Sequence, residues 1–452
     1  MISSMNPFTG KSIKSYKELD ASGIEEKLSG AKSEFLKWKK LPVLKRLDLL
    51  TQLSHTLYEN KNQYAQKITE EMGKPISQSV AEIEKCAWVC EYYASNAESF
   101  LKDSVIDTDA ISSYVKYEPL GVILGIMPWN YPFWQVFRFA VPTLAAGNVC
   151  LLKHASNVMG CAFLLEEIFL KSGFPKGCFQ NLCVGSEMIT DIIQDSRIKA
   201  VSLTGSEAAG SSVAVTAGKQ IKKTVLELGG SNAMVIFEDA QIEETIKSCV
   251  DGRFLNTGQS CIAGKRFLVH KKIESVFLKK FKQAVMELKI GDPMNEETYI
   301  GVLAREDLAE DLGNQVQKSV KQGAKILCGG NRKGTFFEPT LLTDVHTDMP
   351  VFQEETFGPV AAILSFETEE EMVKLVNNSK FGLGVSLFTE DMERVERLIP
   401  QMNEGAVFVN SQVKSDPRLP FGGTKKSGYG RELSKQGIME FVNKKTVYIN
   451  KY

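Results

Sequence analysis

The sequence predicts an α/β protein made of two parallel-sheet domains and a small antiparallel ribbon, and three observations carry that prediction. Short runs rich in Val, Ile and Leu recur along the chain, each followed by a turn and then by helical periodicity. The runs are continuously apolar, as expected for strands covered on both faces in a parallel sheet. Two stretches instead alternate polar with apolar residues: SSYVKYEP (112–119) and KTVYINKY (445–452). Both suit an exposed antiparallel ribbon, which would form an oligomer contact if paired between subunits.

In chain order, residues from about Gly23 to Phe100 read as amphipathic helices, as in LPVLKRLDLLTQLSHTLYENKNQYAQKITEEMG. Within this region Val80, Ile83, Ala87, Cys90 and Ala94 step along one buried helix face. Cys86 and Cys90 are therefore read as packing residues rather than zinc ligands, since no histidine lies nearby and the chain has only four. No metal site is expected. GVILGIMPW (121–129), NVCLLK (148–153), KAVSLTG (199–205) and AMVIF (233–237) are the first predicted strands. After Cys261 come RFLVH (266–270), a charged helix to Leu288, AKILCGG (324–330), PVAAILSF (359–366) and GAVFVN (405–410). The predicted division gives 1–100 with 120–229 to the first domain, 230–436 to the second, and 101–119 with 437–452 to the ribbon.

Composition narrows the function. A chain of 452 residues is too long for one small core. With 54 basic and 55 acidic residues it lacks the basic excess of a nucleic-acid binder. The N-terminus has no basic-then-apolar signal, and FAVPTLAAGNVCLL is broken by Pro142, Gly147 and Asn148. That stretch is also shorter than the ~20 residues a bilayer span needs. Nine scattered cysteines fit free thiols in a reducing compartment. A soluble cytoplasmic protein is expected, with neither a membrane nor a nucleic acid as partner.

Four segments are polar or glycine-rich at the expected carboxyl ends of strands, where open α/β sheets bind ligands. PWNYP (128–132) offers the Asn130 amide, and LLKHASN (151–157) offers Lys153. LELGGSN (226–232) sets Glu227 between leucines, where desolvation raises a carboxyl pKa. NTGQSC presents Cys261 after a glycine turn, and a thiol attacks only as its thiolate. Each has a structural explanation by itself: a satisfied amide, a snorkelling lysine, a paired carboxylate, a packing thiol. Together a thiol, a carboxylate base and an amide donor suit acyl chemistry at a carbonyl. The dinucleotide fingerprint G-x-G-x-x-G is absent. AVSLTGSEAAG places Gly205 and Ser206 between a strand and a helix N-terminus, a setting that favours phosphate.

In this order, and on to FGGTKKSGYGRE (421–432) and the last strand, the motifs resemble those of NAD(P)-dependent aldehyde dehydrogenases. LLKHASNVMGCA (151–162), with His154 where most of that superfamily has proline, resembles the short bacterial succinate-semialdehyde dehydrogenases. The resemblance implies an aldehyde dehydrogenase-like fold: a cofactor-binding first domain, a catalytic second domain and a ribbon that joins a homodimer or homotetramer. It implies that Cys261 attacks the aldehyde to give a thiohemiacetal, with the Asn130 amide and the Cys261 N–H holding the oxyanion. Hydride then leaves for the nicotinamide, and Glu227 activates the water that hydrolyses the thioester. The other eight cysteines are left as packing residues.

On the cofactor side the resemblance implies that Lys153 reaches the adenosine ribose or its phosphate, Gly205 and Ser206 lie by the pyrophosphate, and Trp129 lines the cleft. In QEETFGP (353–359) it assigns Glu355 to the nicotinamide ribose and Phe357 to the nicotinamide pocket, leaving Glu354 as a solvated acid. Family members that prefer NAD often carry a glutamate where this chain has Ser156. Serine removes that repulsion of a 2′-phosphate, so NADP is the expected cofactor, with NAD as the alternative.

A semialdehyde carboxylate calls for a cation, and Arg138 stands where similar succinate-semialdehyde dehydrogenases carry a carboxylate-binding arginine. Its structural alternative is a buried arginine paired with an acid. A second arginine of such enzymes, six residues before the cysteine, is Leu255 here, and Arg253 and Arg418 are the possible substitutes. Ala263 replaces a second cysteine found in some relatives, which removes a disulfide switch. The expected reaction is oxidation of succinate semialdehyde to succinate. The alternatives are another aldehyde (glutarate semialdehyde or an amine-derived one), a coenzyme-A-acylating enzyme, a cofactor-free thiol hydrolase or acyltransferase with a histidine partner, and an inactive protein with this fold.

Overall fold

The computed structural model describes residues 1–451, so Tyr452, the end of the expected ribbon, lies outside them. Helices Ala21–Trp38, Val43–Glu59, Lys61–Met72 and Ile76–Leu101 form where the periodicity places them. Asp20 caps the first, accepting from the Gly23 N–H at 2.8 Å. Ile76–Leu101 buries Ile83, Cys86, Ala87 and Cys90 as one face. A hairpin of Ile2–Met5 and Ser12–Tyr16 precedes them, too short and exposed to show in the pattern.

These helices share one hydrophobic core with a six-stranded sheet. Its spatial order is Gly428–Tyr429, Lys223–Glu227, Ile198–Thr204, Val122–Met127, Val149–His154 and Phe179–Asn181. Neighbours are parallel except the first pair, where Gly428 lies opposite Glu227. Helix Trp134–Ala145 follows the central strand and is buried at every position, which explains why its sequence is apolar all round.

The second sheet has seven strands, in the order Lys325–Cys328, Thr340–Thr343, Val360–Phe366, Gly264–His270, Asn232–Ile236, Val385–Phe388 and Val407–Val409. AMVIF belongs here rather than with the strands before it, paired with Gly264–His270 and Val385–Phe388. Ala233, Val235 and Phe237 pack into one core while Met234 and Ile236 pack into another. A strand buried on both faces has no polar alternation to show. Lys325–Cys328, read as part of a parallel series, pairs antiparallel at the edge.

The alternating stretches pair with each other inside one chain, in register from Val442 opposite Pro119 to Ile449 opposite Ser112. Ser104–Val105 completes this sheet, leaving Val442–Ile449 as an edge among the described residues. No helix among those residues is long and apolar enough to cross a membrane.

Gly125, in the middle of the central strand, has the Phe139 ring where a side chain would stand: a Cβ would lie 2.5 Å from its nearest atom. Gly125→Ala is expected to push helix Trp134–Ala145 outward and lower stability by about 1–3 kcal/mol. Denaturant titration measures this, and an unchanged midpoint would contradict the close approach.

Candidate active site

Adjacent parallel strands bring four of the singled-out segments to one edge of the first sheet. Val122–Met127 leads to Trp129 and Asn130, Val149–His154 carries Lys153, Ile198–Thr204 leads to Gly205 and Ser206, and Lys223–Glu227 ends on Glu227. Cys261 arrives from the other side, on a loop after helix Ile242–Phe254. Asn256, Thr257 and Gly258 in that loop have φ of 57°, 53° and 72°, in the left-handed region. For Asn and Thr this costs about 1–3 kcal/mol each, so the surroundings must hold them. The Asn256 side-chain amide donates to the carbonyls of Asn130 (2.8 Å) and Gln259 (3.1 Å), and the Thr257 hydroxyl accepts from the Gly301 N–H at 3.1 Å. At Gly258 a Cβ would sit 2.5 Å from the Gly358 carbonyl oxygen, so only glycine fits.

Cys261 stands in the wall between two cavities. One, of about 240 Å³, is lined by Lys85, Trp134, Arg138, Ser415 and Phe421 among others. The other, of about 360 Å³, is lined by Trp129, Asn130, Gly205, Ser206, Glu355 and Phe357. Seven of the nine cysteines are fully buried, whereas Cys261 keeps accessible surface. Cys328 also keeps some, and packs half-buried against the core from an edge strand.

Electrostatics here is governed by burial. Desolvation pushes the Cys261 thiol up to about 11, against the pull of Arg138 and Lys265. The cysteine is therefore a thiol at neutral pH, and the surroundings do not make it a standing thiolate. Glu227, 2 % exposed, has neither carboxylate oxygen hydrogen-bonded among the described residues. Burial raises its pKa well above the carboxylate range; Arg138 opposes this and Glu432 adds to it. An amide of Asn130 donates to the Gln259 carbonyl at 3.1 Å, and its buried oxygen has no partner among the described residues. Glu355 accepts from the Gly230 N–H (3.0 Å) and the Lys265 ammonium (3.1 Å), and Trp129 meets Phe357 edge to face at 5.6 Å.

The larger cavity suits a dinucleotide. Gly205 opens it: a Cβ there would meet only Leu203, at 3.6 Å. Ser206 lines it and caps helix Glu207–Lys219, whose N-terminal N–H groups favour an anion. Lys153 and Ser156 are not in its wall. They lie one strand over, with Ser156 exposed at the start of the turn Ser156–Val158, and burial lowers the Lys153 pKa.

The substrate-side arginines need correction. Arg253 is wholly buried, its guanidinium donating to the carbonyls of Gly258, Gly264, Thr356 and Gly358. It cannot reach a substrate. Arg418 is exposed, paired with Asp416 at 2.7 Å, and lines neither cavity. Arg138 does line the smaller cavity, but it is ion-paired with Glu432, donates to the Thr204 hydroxyl at 3.3 Å and lies 4.4 Å from the Phe421 ring centre. It is thus an acid-paired arginine that still faces the cavity, and its Nη1 has no partner among the described residues, so it remains a candidate for a substrate carboxylate.

Sequence reasoning missed Lys265, whose ammonium donates to the carbonyls of Ser260 and Cys261, both at 2.9 Å, as well as to Glu355. A lysine four residues after the nucleophile, inside an apolar strand, was the signal. Lys85 and Ser415 were missed as well, and only the fold brings them to the cavity.

A thiol set between two cavities, with a buried carboxyl and an amide close by, defines a cysteine-dependent enzyme that acts on a carbonyl. The model of the aldehyde dehydrogenase family matches residues 1–447, and the chain belongs to that family. It is 47 % identical to a probable succinate-semialdehyde dehydrogenase [NADP(+)] of Synechocystis sp., over 99 % of each chain. It is 43 % identical to an NAD(P)-dependent succinate semialdehyde dehydrogenase of Escherichia coli, over 98 % of this chain and 97 % of the other. It is also similar to the structure of succinic semialdehyde dehydrogenase from Streptococcus pyogenes in complex with NADP, with a TM-score of 0.97, 34 % identity and complete coverage of both chains.

Two outcomes follow from burial. In the ligand-free protein, iodoacetamide modification of Cys261 should accelerate about tenfold per pH unit between pH 7 and 9, since only the thiolate reacts. Mass spectrometry locates the label, and a plateau below pH 8 would contradict the raised thiol pKa. Because its folded pKa is raised, Glu227 binds more protons folded than unfolded, and it costs stability as pH rises above the ordinary carboxylate range. Glu227→Gln should therefore raise the Tm at pH 8 and narrow its lead at pH 4.5. A lower Tm at pH 8 would show that the carboxylate has a partner.

Proposed function

We propose that the protein oxidises succinate semialdehyde to succinate with NADP, NAD being the poorer cofactor. The observation that carries this reading is Cys261 in the shared wall of two cavities, one for the aldehyde and one for the dinucleotide. The relatives' names supply the substrate and the cofactor.

In this reading Cys261 gives up its proton as its sulfur adds to the aldehyde carbon. Glu227, held neutral at rest by burial, takes that proton as the carboxylate after releasing its own to solvent, and releases it again before the hydrolysis step. The Asn130 amide and the Cys261 N–H take the developing oxyanion, and losing one such donor costs ~100- to 1,000-fold in rate. A nicotinamide held in the cavity lined by Trp129, Glu355 and Phe357 would supply the two-electron acceptor for the hydride on the former aldehyde carbon, and Cys261 would be left holding a thioester. Glu227 then removes a proton from the water that hydrolyses this thioester, releasing succinate and restoring the thiol. Glu355, Phe357 and Trp129 hold the nicotinamide end, Gly205 and Ser206 the pyrophosphate, and Lys153 and Ser156 the 2′-phosphate. A hydrolase working through a histidine has less support, because no histidine lines either cavity among the described residues.

The proposed division into domains stays at 1–100 with 120–229, 230–436, and the ribbon of 101–119 with 437–452. The free edge of Val442–Ile449 supports a homodimer or homotetramer. Nine free cysteines fit a reducing cytoplasm.

The test is the initial rate of nicotinamide reduction with succinate semialdehyde, glutarate semialdehyde and butanal, each with NADP and NAD. The expected result is a higher kcat/KM for succinate semialdehyde with NADP, lost in Cys261→Ala. Ser156→Glu should lower the NADP-to-NAD ratio of kcat/KM by about tenfold or more, a like-charge effect on the phosphate. An unchanged ratio would mean that the phosphate is read elsewhere.

A further inference from the structure

His154 belongs to a motif that the proposed reaction leaves without a role. It ends strand Val149–His154 and is fully buried. Its ring reaches the turn 128–132 that follows the neighbouring strand and carries Trp129 and Asn130. Imidazole Nδ1 accepts from the Ala155 N–H at 2.9 Å, and Nε2 lies 2.9 Å from the Pro132 carbonyl oxygen. Those two contacts assign the tautomer: Nδ1 is bare, and Nε2 carries the proton and donates it to Pro132. The Met127 carbonyl, at the end of the central strand, stands 3.2 Å from the same Nδ1. One ring thus lies against both ends of the segment 127–132.

The Pro132 oxygen sits where helix Trp134–Ala145 begins. On either side of it, Gln135 N–H donates to the Tyr131 carbonyl at 3.1 Å and Phe137 N–H to the Phe133 carbonyl at 2.9 Å. Other contacts fix the rest of the turn. The Asn256 amide holds the Asn130 carbonyl, and buried Glu82 accepts from the N–H groups of Phe133 (2.9 Å) and Trp134 (3.0 Å). These come from the cysteine loop and from helix Ile76–Leu101. Among the described residues, His154 makes the only side-chain hydrogen bond from strand Val149–His154 to the turn, so it sets the height of the turn above that strand.

We propose that His154 is a positioning residue, which through Pro132 holds the Asn130 amide where it meets the oxyanion formed at Cys261. This rests on the reading of Asn130 as an oxyanion donor in aldehyde oxidation. Such a donor works by geometry, standing about 2.7–3.1 Å from the point where charge develops. A misplacement of about 1 Å costs on the order of 100-fold in rate. The ring suits a fixed strut because its protonation does not change near neutral pH. Burial lowers its pKa to about 4, the Pro132 and Met127 carbonyls oppose that shift, and Lys153 adds to it.

The experiment uses the full-length enzyme and three substitutions. His154→Leu fills similar space without a donor, His154→Gln carries an amide N–H to about the place of Nε2, and His154→Asn is too short to reach Pro132. Two rates are read: oxidation of succinate semialdehyde with NADP, and alkylation of Cys261 by iodoacetamide without cofactor, a reaction that forms no oxyanion. In His154→Leu, kcat and kcat/KM should fall together by about 10- to 100-fold with KM unchanged, while alkylation stays within about twofold of wild type. His154→Gln should keep most of the rate and His154→Asn should lose it. In an Asn130→Ala background, His154→Leu should cost less than about twofold, because the amide it positions is already gone. A full additional loss in that background, or alkylation falling in parallel with oxidation, overturns the positioning role and makes His154 structural. An unchanged kcat in His154→Leu overturns it outright and leaves the reaction standing, whereas a wild type that oxidises no aldehyde overturns both. If His154→Leu does not accumulate as folded protein, the contrast between glutamine and asparagine decides: equal rates in the two overturn the proposal.

Discussion

The active site depends on one buried guanidinium. Arg253 has no acid paired with it among the described residues and donates to the carbonyls of Gly258 and Gly264 on one side and of Thr356 and Gly358 on the other. Those segments flank Cys261 and carry Glu355 and Phe357. Burial lowers even this arginine, to about 9, with Glu355 opposing, and the four carbonyls give its buried donors their partners. The left-handed run Asn256–Gly258 would relax without that clamp, and Lys265 repeats the arrangement on the carbonyls of Ser260 and Cys261. Two cations spent on backbone fix the nucleophile loop before any ligand arrives.

The same low-polarity setting decides how the groups titrate. It keeps Cys261 protonated and Glu227 neutral, and it weakens Lys85 as an ammonium. In the proposed reaction the thiol and the carboxyl must each ionise in turn, and burial sets the cost of doing so. Arg138 sits among them, paired with Glu432 through Nε and donating to the Thr204 hydroxyl, and its field tunes its neighbours.

Much of this was legible in the chain. The continuous apolar runs revealed a parallel sheet because strands covered on both faces need no polar residues, and the segments at their carboxyl ends pointed to Asn130, Glu227, Gly205 and Ser206. Strands such as Lys223–Glu227 and Val385–Phe388 were less visible, being short or mixed in character. Arg253 and Arg418 were misjudged because an arginine's sequence neighbours do not say whether carbonyls, an acid or a cavity surround it. Lys85 was overlooked on a helix face whose cysteines drew attention to packing.

The sequence by itself determined the class of fold, the family motifs and the candidate nucleophile, because those rest on local pattern: periodicity, turns and short runs of fixed chemistry. The tertiary structure decided which charges are free. Whether a lysine or arginine is paired depends on elements far apart in the chain, as when Glu432 reaches Arg138, or when Ser415 meets Lys85 across 330 positions. Burial, which sets each pKa here, is likewise a property of the packed molecule and not of any stretch of sequence.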